Sequence, residues 1–185
     1  MPERPASGLA ALVRRLVPED ASELRELRLE ALRLHPGAFG STHAVEAAEP
    51  VSAFAARIAG GCIFGGFIAG RMRGMAGFSV VDAAQLRHKG VLGGMYVRES
   101  ARGSGLADAI VRAVLTHAAA RVEQVLLTVA ADNGRAIRFY QRQGFVAYGT
   151  EPRALKVGAR YLDELLMVHF IRAPVDRPAP PPHGA

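Results

Sequence analysis

The segment Val97-Arg-Glu-Ser-Ala-Arg102-Gly-Ser-Gly-Leu-Ala107 restricts the possible folds of this chain more than any other. An apolar strand predicted over residues 91–97 runs straight into a glycine loop, and the loop opens a helix predicted over residues 105–121. Leu106, Ile110, Val114 and Ala118 form the inward stripe of that helix, widened by Val111 and Leu115, while Asp108 and Arg112 make an exposed pair. A continuous apolar strand of the kind buried on both faces follows over residues 125–130. A strand, a long helix and a strand in succession demand a parallel pair within one sheet. The loop itself suits phosphate: Gly103 and Gly105 reach backbone angles closed to other residues, and the first turn of a helix has N–H groups without intrahelical partners. A pyrophosphate fits such a junction without a metal.

Downstream comes Asn133-Gly-Arg-Ala136-Ile-Arg-Phe139-Tyr140-Gln-Arg-Gln-Gly144-Phe145. Asn133 and Tyr140 stand two helical turns apart, on one face of a helix predicted over residues 133–143, and converge on the loop's end of the sheet. Together the two segments resemble the GNAT superfamily of acyl-coenzyme A-dependent N-acetyltransferases. The first, Arg102 through Ala107, is similar to that family's pyrophosphate loop, and the second to its Asn-x-x-Ala-x-x-Phe-Tyr-x-x-x-Gly-Phe segment.

The resemblance implies a single α/β domain over residues 9–172, a mixed central sheet flanked by helices with its two central parallel strands splayed apart. It implies acetyl-coenzyme A as co-substrate. The backbone of Met95, Tyr96 and Val97 would bond the pantetheine amides, and Arg102, Gly103, Ser104, Gly105, Leu106, Ala107 and Asp108 would hold the diphosphate, chiefly through main-chain amides. Asn133 is assigned to the pantetheine or to the loop after the preceding strand, roles compatible with capping its own helix. Tyr140 is the candidate general acid, since a phenol of pKa about 10 is able to protonate a leaving thiolate. Two features depart from the family pattern. Glu99 stands where a proline is usual, and Gly90-Val-Leu-Gly-Gly94-Met-Tyr has no carboxylate to serve as general base. Deprotonation is then expected through ordered water or through a carboxylate elsewhere: Glu46, Glu49, Asp82 and Glu164, with His88 near the start of the strand, are the candidates, each read first as a solvated surface group. A catalytically silent acyl-coenzyme A sensor, which would keep the loop and Asn133, is the alternative function.

The formal net charge of +6 raises the question of a nucleic-acid partner, but there is no run of basic residues and aromatics are few. Arg98, Arg102, Arg135, Arg138 and Arg142 instead gather around the two phosphate-facing motifs. Neither a nucleic acid nor a membrane is expected as partner, and no metal; a cytoplasmic location is the default, and by resemblance a homodimer. The single cysteine, Cys62, sits in an apolar strand and is assigned no chemistry. Residues 1–8 are expected to be flexible and the proline-rich residues 173–185 disordered.

The first half reads as strand, two helices and hairpin. The helices run from Pro18 toward Leu34 and over residues 51–59, and the strands over residues 63–69 and 72–81 join through Gly70-Arg71. Closing strands are expected over residues 145–148 and 162–171. The amine acceptor is expected between residues 35–49 and residues 153–164, where Glu46 and Glu49 would suit a cationic amine.

Overall fold

The computed structural model describes residues 11–171; the predicted flexible start (1–8) and disordered tail (173–185) lie outside the described residues. Strand β1 (Leu12–Arg15) leads through a 3-10 turn into helix α1 (Ala21–Leu34). Asp20 secures this entry: its Oδ2 accepts from Val17 N at 2.9 Å, and its two oxygens accept from Arg14 at 2.6 and 2.8 Å. Helix α2 (His43–Ala47) falls where the sequence reads as loop, because its 5 residues are too few to register a period; Thr42 caps it. Helix α3 (Val51–Gly60) precedes the hairpin of β2 (Cys62–Ile68) and β3 (Arg71–Val80). The turn of that hairpin is Ala69-Gly70, at φ 52° and 72°, rather than the expected Gly70-Arg71.

Strand β4 (Lys89–Val97), helix α4 (Leu106–Ala119), strand β5 (Gln124–Ala130) and helix α5 (Gly134–Arg142) realise the predicted crossover. Strands β6 (Val146–Val157) and β7 (Arg160–Phe170) close the fold as a hairpin much longer than the sequence reading, since Gly149 to Glu151 and, past an irregularity, Leu155 to Val157 stay paired. The seven-stranded sheet runs β1-β2-β3-β4-β5-β7-β6, with every neighbouring pair antiparallel except β4 and β5.

Two apolar layers cover the sheet. On one face α4 presents Leu106, Ile110, Val111, Val114 and Ala118 to Val125, Leu127, Val129 and Met167, and Tyr140 and Phe145 extend that core. On the other, Leu24, Leu27 and Ala31 of α1 and Phe54 and Ile58 of α3 meet Phe67, Met72, Met75 and Tyr96. Helix α4 approaches the sheet over small residues. A Cβ added to Gly66 or Gly74 would stand 2.7 Å from Ile110 Cδ1, far inside van der Waals contact. The exposed pairing of Asp108 with Arg112 is not found, because the Asp108 carboxylate instead accepts from Gln143 Nε2 on the neighbouring helix at 2.7 Å.

One irregularity positions the site. Gly77 of β3 faces Gly93, but Met75 faces Tyr96, so β4 carries one residue more than β3 across this stretch and bulges at Gly94, where φ is 63°. The parallel pairing with β5 consists of Lys89↔Gln124, Gly90↔Val125 and Val91↔Leu126 and stops there. Beyond it the strands diverge. Strand β5 is therefore not buried on both faces as expected: Thr128 is exposed and Leu126 half-buried, because both front the gap.

Candidate active site

Two cavities adjoin at this gap. The first, about 710 Å³, lies between the end of β4, the glycine loop and α5; the second, about 720 Å³, opens between α1, α3 and β7. Ala38 and Phe39 line both, as do different stretches of β4: Met95 to Val97 the first, Val91 to Gly94 the second. A reactant entering from each side would meet across the parted strands.

The glycine loop takes the conformation its residues allow. Gly103 and Gly105 have φ of 80° and 82°, and neither has an atom within 4 Å of where a Cβ would stand, so both face open space. Gly105 is the N-cap of α4. Among the described residues, the amides of Gly103, Ser104, Gly105, Ala107 and Asp108 find no acceptor. They are donors without acceptors at the positive end of a helix dipole, a setting that suits phosphate oxygens, and Gly103, Gly105, Ala107 and Asp108 border the first cavity. Ser104 contributes differently from its neighbours, its Oγ donating to Ala101 O at 2.7 Å and sitting 3.4 Å from Leu106 N. Leu106 is wholly buried in the core, so only its backbone belongs to the loop.

Arg102 is tethered rather than free. Its Nε donates to Val97 O at 3.3 Å, and its Nη2 donates to His35 Nε2 at 3.3 Å, joining the loop to the end of α1. The edges of Met95, Tyr96 and Val97 that face β5 carry no sheet partner, since Tyr96 and Val97 pair only with β3. An extended chain of amides laid there would add as a further strand. The Tyr96 side chain points to the α1 face, where its hydroxyl donates to Glu30 at 2.9 Å and Arg98 Nε donates to the other Glu30 oxygen at 2.9 Å. Burial, reinforced by Glu30, pushes the Tyr96 phenol up to about 12.

Asn133 caps α5, its Oδ1 accepting from Ala136 N at 3.1 Å, and lines the first cavity together with Tyr140. Tyr140 is 8% exposed, its ring packed edge-on against Phe139 and Phe145, and its hydroxyl meets no protein partner among the described residues. Burial pushes this phenol up to about 12 as well, so it holds its proton at all ordinary pH.

The five acid or base candidates separate clearly. Asp82 pairs with Arg87 on the surface, His88 is exposed, and Glu49 is held by Arg57. Glu46 corrects the sequence reading: it is 4% exposed, not solvated. Burial pushes its carboxyl up, but the Arg28 guanidinium, with Ser41 and Arg57, outweighs this and holds it below the usual range. Glu164 alone of the five lines the second cavity with no ion pair among the described residues. Phe39 lines the same cavity, within the stretch expected to meet the acceptor, but Arg28, which also lines it, lies outside both expected stretches. Its signal is a charge set among Leu24, Leu27 and Ala31 on the buried stripe of α1.

Cys62 lies outside both cavities, 3.3 Å from His117 Nε2. Burial pushes the thiol up and the imidazole down, which keeps both neutral. Among the described residues no cluster of His, Cys, Asp or Glu is suited to hold a metal, and no helix is long and apolar enough to cross a membrane.

Residues 23–145 match the family model described as the acetyltransferase (GNAT) family. A mycothiol acetyltransferase from Streptomyces scabiei is 36% identical over 88 residues; that stretch is 47% of this chain and 29% of the relative, so the chain matches under a third of that protein's length. A GNAT-family acetyltransferase from Streptococcus pneumoniae superposes with a TM-score of 0.78 at 21% identity, over 88% of this chain and 100% of that one. A GNAT superfamily phosphinothricin acetyltransferase from Sinorhizobium meliloti, solved in complex with acetyl-coenzyme A, gives 0.75 at 18% identity, over 86% and 88% of the two chains.

Proposed function

The chain belongs to the GNAT acetyltransferase family, and from that footing we propose that it transfers an acetyl group from acetyl-coenzyme A to a primary amine by direct attack. The observation that carries this reading is the pairing of a row of unpartnered loop amides with an unpaired strand edge, both on one cavity. That pairing fits the two ends of a long thioester carrier, diphosphate at one and amide arm at the other. The carrier supplies an activated acyl carbon: a C–N bond forms as the C–S bond breaks, the amine gives up a proton and the sulfur takes one.

The chain's residues have distinct parts in this. The amides of Gly103 to Gly105, Ala107 and Asp108 receive the diphosphate, with Arg102 held at the loop by Val97 and His35. The free edges of Met95 to Val97 align the arm, and a backbone N–H there polarises the thioester carbonyl. Asn133, with its oxygen engaged by the Ala136 amide, has its side-chain N–H groups left to face the arm.

Tyr140 supplies the donor for the departing sulfur. Its raised pKa makes it a reluctant acid against a thiol that ordinarily titrates several units lower, near 8.5. Burial that raises the phenol would also raise a thiol seated beside it, so the transfer is assisted by a hydrogen bond that strengthens as negative charge gathers on sulfur. No carboxylate stands on β4, and the amine proton leaves through the second cavity, toward solvent and Glu164. A cytoplasmic location and a homodimer belong to the same reading by resemblance.

Incubating the full chain with acetyl-coenzyme A and a panel of amines, and following free thiol, tests this function. Amine-dependent thiol release is expected. Tight binding of acetyl-coenzyme A with no release for any amine would favour the silent sensor, and no binding at all would remove both.

A further inference from the structure

The transfer chemistry leaves Arg28 unexplained. Its Nε lies 3.1 and 3.0 Å from the two oxygens of Glu46, and its Nη2 donates to Glu46 Oε1 at 2.8 Å. The guanidinium face lies 4.8 Å from the ring centroid of Phe39. Its Nη1 has no acceptor among the described residues and sits 3.8 Å from where a Cβ on Gly94 would stand, at the bulge that parts the strands. One edge is clamped, one face is covered, and the remaining edge fronts the cavity. A guanidinium held this way has lost its side-chain freedom before a ligand arrives, and its open N–H groups match the oxygens of a carboxylate.

The rest of the lining fits a second charge. Glu46 and Glu49 are matched in charge by Arg28 and Arg57, whereas Glu164, on β7 across the same cavity, has no ion pair among the described residues. The open N–H edge of Arg28 beside β4 and a free carboxylate on β7 complement a zwitterion. We propose that the acceptor is a small amino acid-type molecule, with a carboxylate close to the reacting amine. The Nη1 edge of Arg28 receives the carboxylate, and Glu164 positions the ammonium before it deprotonates. This builds on the N-acetyltransferase reading and narrows its substrate class.

The test compares the common α-amino acids with their matching α-amides as acceptors, using the full chain, acetyl-coenzyme A and thiol release. The best acids are expected to exceed their amides in kcat/KM by roughly tenfold to a hundredfold, the usual worth of a charge-assisted pair. In Arg28→Gln that ratio falls toward one while the KM for acetyl-coenzyme A moves far less. Since Arg28→Gln leaves Glu46 with Arg57 alone, the double variant Arg28→Gln/Glu46→Gln, which removes both charges together, must lose the ratio too. Equal use of acids and amides by the parent, or a ratio that survives in the double variant, overturns the proposal and leaves the transferase reading standing. If no amine of either series releases thiol, calorimetry of the same acids and amides on the coenzyme A-loaded chain separates the two ideas. Acid binding that depends on Arg28 upholds the recognition site although transfer has failed, and acids bound no better than amides overturn it.

Discussion

Gln143 Nε2 donates to Asp108 Oδ1 at 2.7 Å. The first residue ends α5, the helix of Tyr140; the second lies in the opening turn of α4, beside the loop amides. This bond sets the spacing between the proposed proton donor and the proposed diphosphate cradle, and it gives an anionic side chain a neutral partner next to an anion site. Gln143→Ala is expected to raise the KM for acetyl-coenzyme A and lower kcat together, each by roughly threefold to tenfold, so that kcat/KM falls by about tenfold to a hundredfold, the worth of one hydrogen bond to a charged group. Steady-state kinetics with a fixed amine decide it.

Tyr140→Phe separates chemistry from packing. The hydroxyl has no protein partner among the described residues, so its loss changes stability by less than about 1 kcal/mol. As the donor to sulfur its loss lowers kcat by roughly a hundredfold with little change in acetyl-coenzyme A binding. Parent activity across the whole pH range would mean that Tyr140 is only a packing residue.

Alkaline stability follows from the two buried phenols. Tyr96 and Tyr140 titrate near 12 when folded against 10.0 ordinarily. Between those values the unfolded chain has released protons that the native chain keeps, so stability falls as pH rises. Two such groups give a slope of up to about 2.7 kcal/mol per pH unit. Denaturant melts at stepped pH should show this fall, and Tyr140→Phe should remove close to half of it.

Gly74→Ala places a Cβ 2.7 Å from Ile110 Cδ1 and 3.1 Å from Val97 Cγ2. Overpacking of this kind costs about 1–3 kcal/mol. Adding Ile110→Val, which deletes the offending methyl, should recover much of that loss. A double variant as unstable as the sum of the two single changes would place the strain elsewhere.

Gly105→Ala is a test of loop shape without collision, since nothing lies within 4 Å of the new Cβ while φ is 82°. The left-handed angle costs about 1–2 kcal/mol for a residue other than glycine. If the strain is relieved by reorienting the loop amides, acetyl-coenzyme A binding weakens by roughly tenfold in calorimetry. Unchanged affinity would show that the diphosphate does not depend on those donors.

Much of this arrangement was legible because its signals are local. The crossover of β4, α4 and β5 shows in the change of apolar period on either side of Gly103-Ser-Gly105, and Asn133 and Tyr140 share a helical face by spacing alone. What escaped was non-local. Glu46 looks solvated in sequence because the guanidiniums that neutralise it, on Arg28 and Arg57, lie 18 and 11 residues away. The parting of the strands depends on the register at Met75↔Tyr96 and Gly77↔Gly93, which no single segment records. Thr128 was the one hint, a polar residue inside the apolar run 125–130, marking the stretch of β5 that looks into the gap.

Among the described residues, the β1-to-β4 half of the sheet joins the β5-to-β7 half through a short seam, His88 to Val91 against Glu123 to Leu126. Past that short seam the two halves stand apart like the leaves of an open book, and a carrier arm stitched along Met95 to Val97 would serve as their clasp. The co-substrate would then be a mechanical brace as well as a source of acyl groups, and the protein would be most cohesive at the moment it is ready to react.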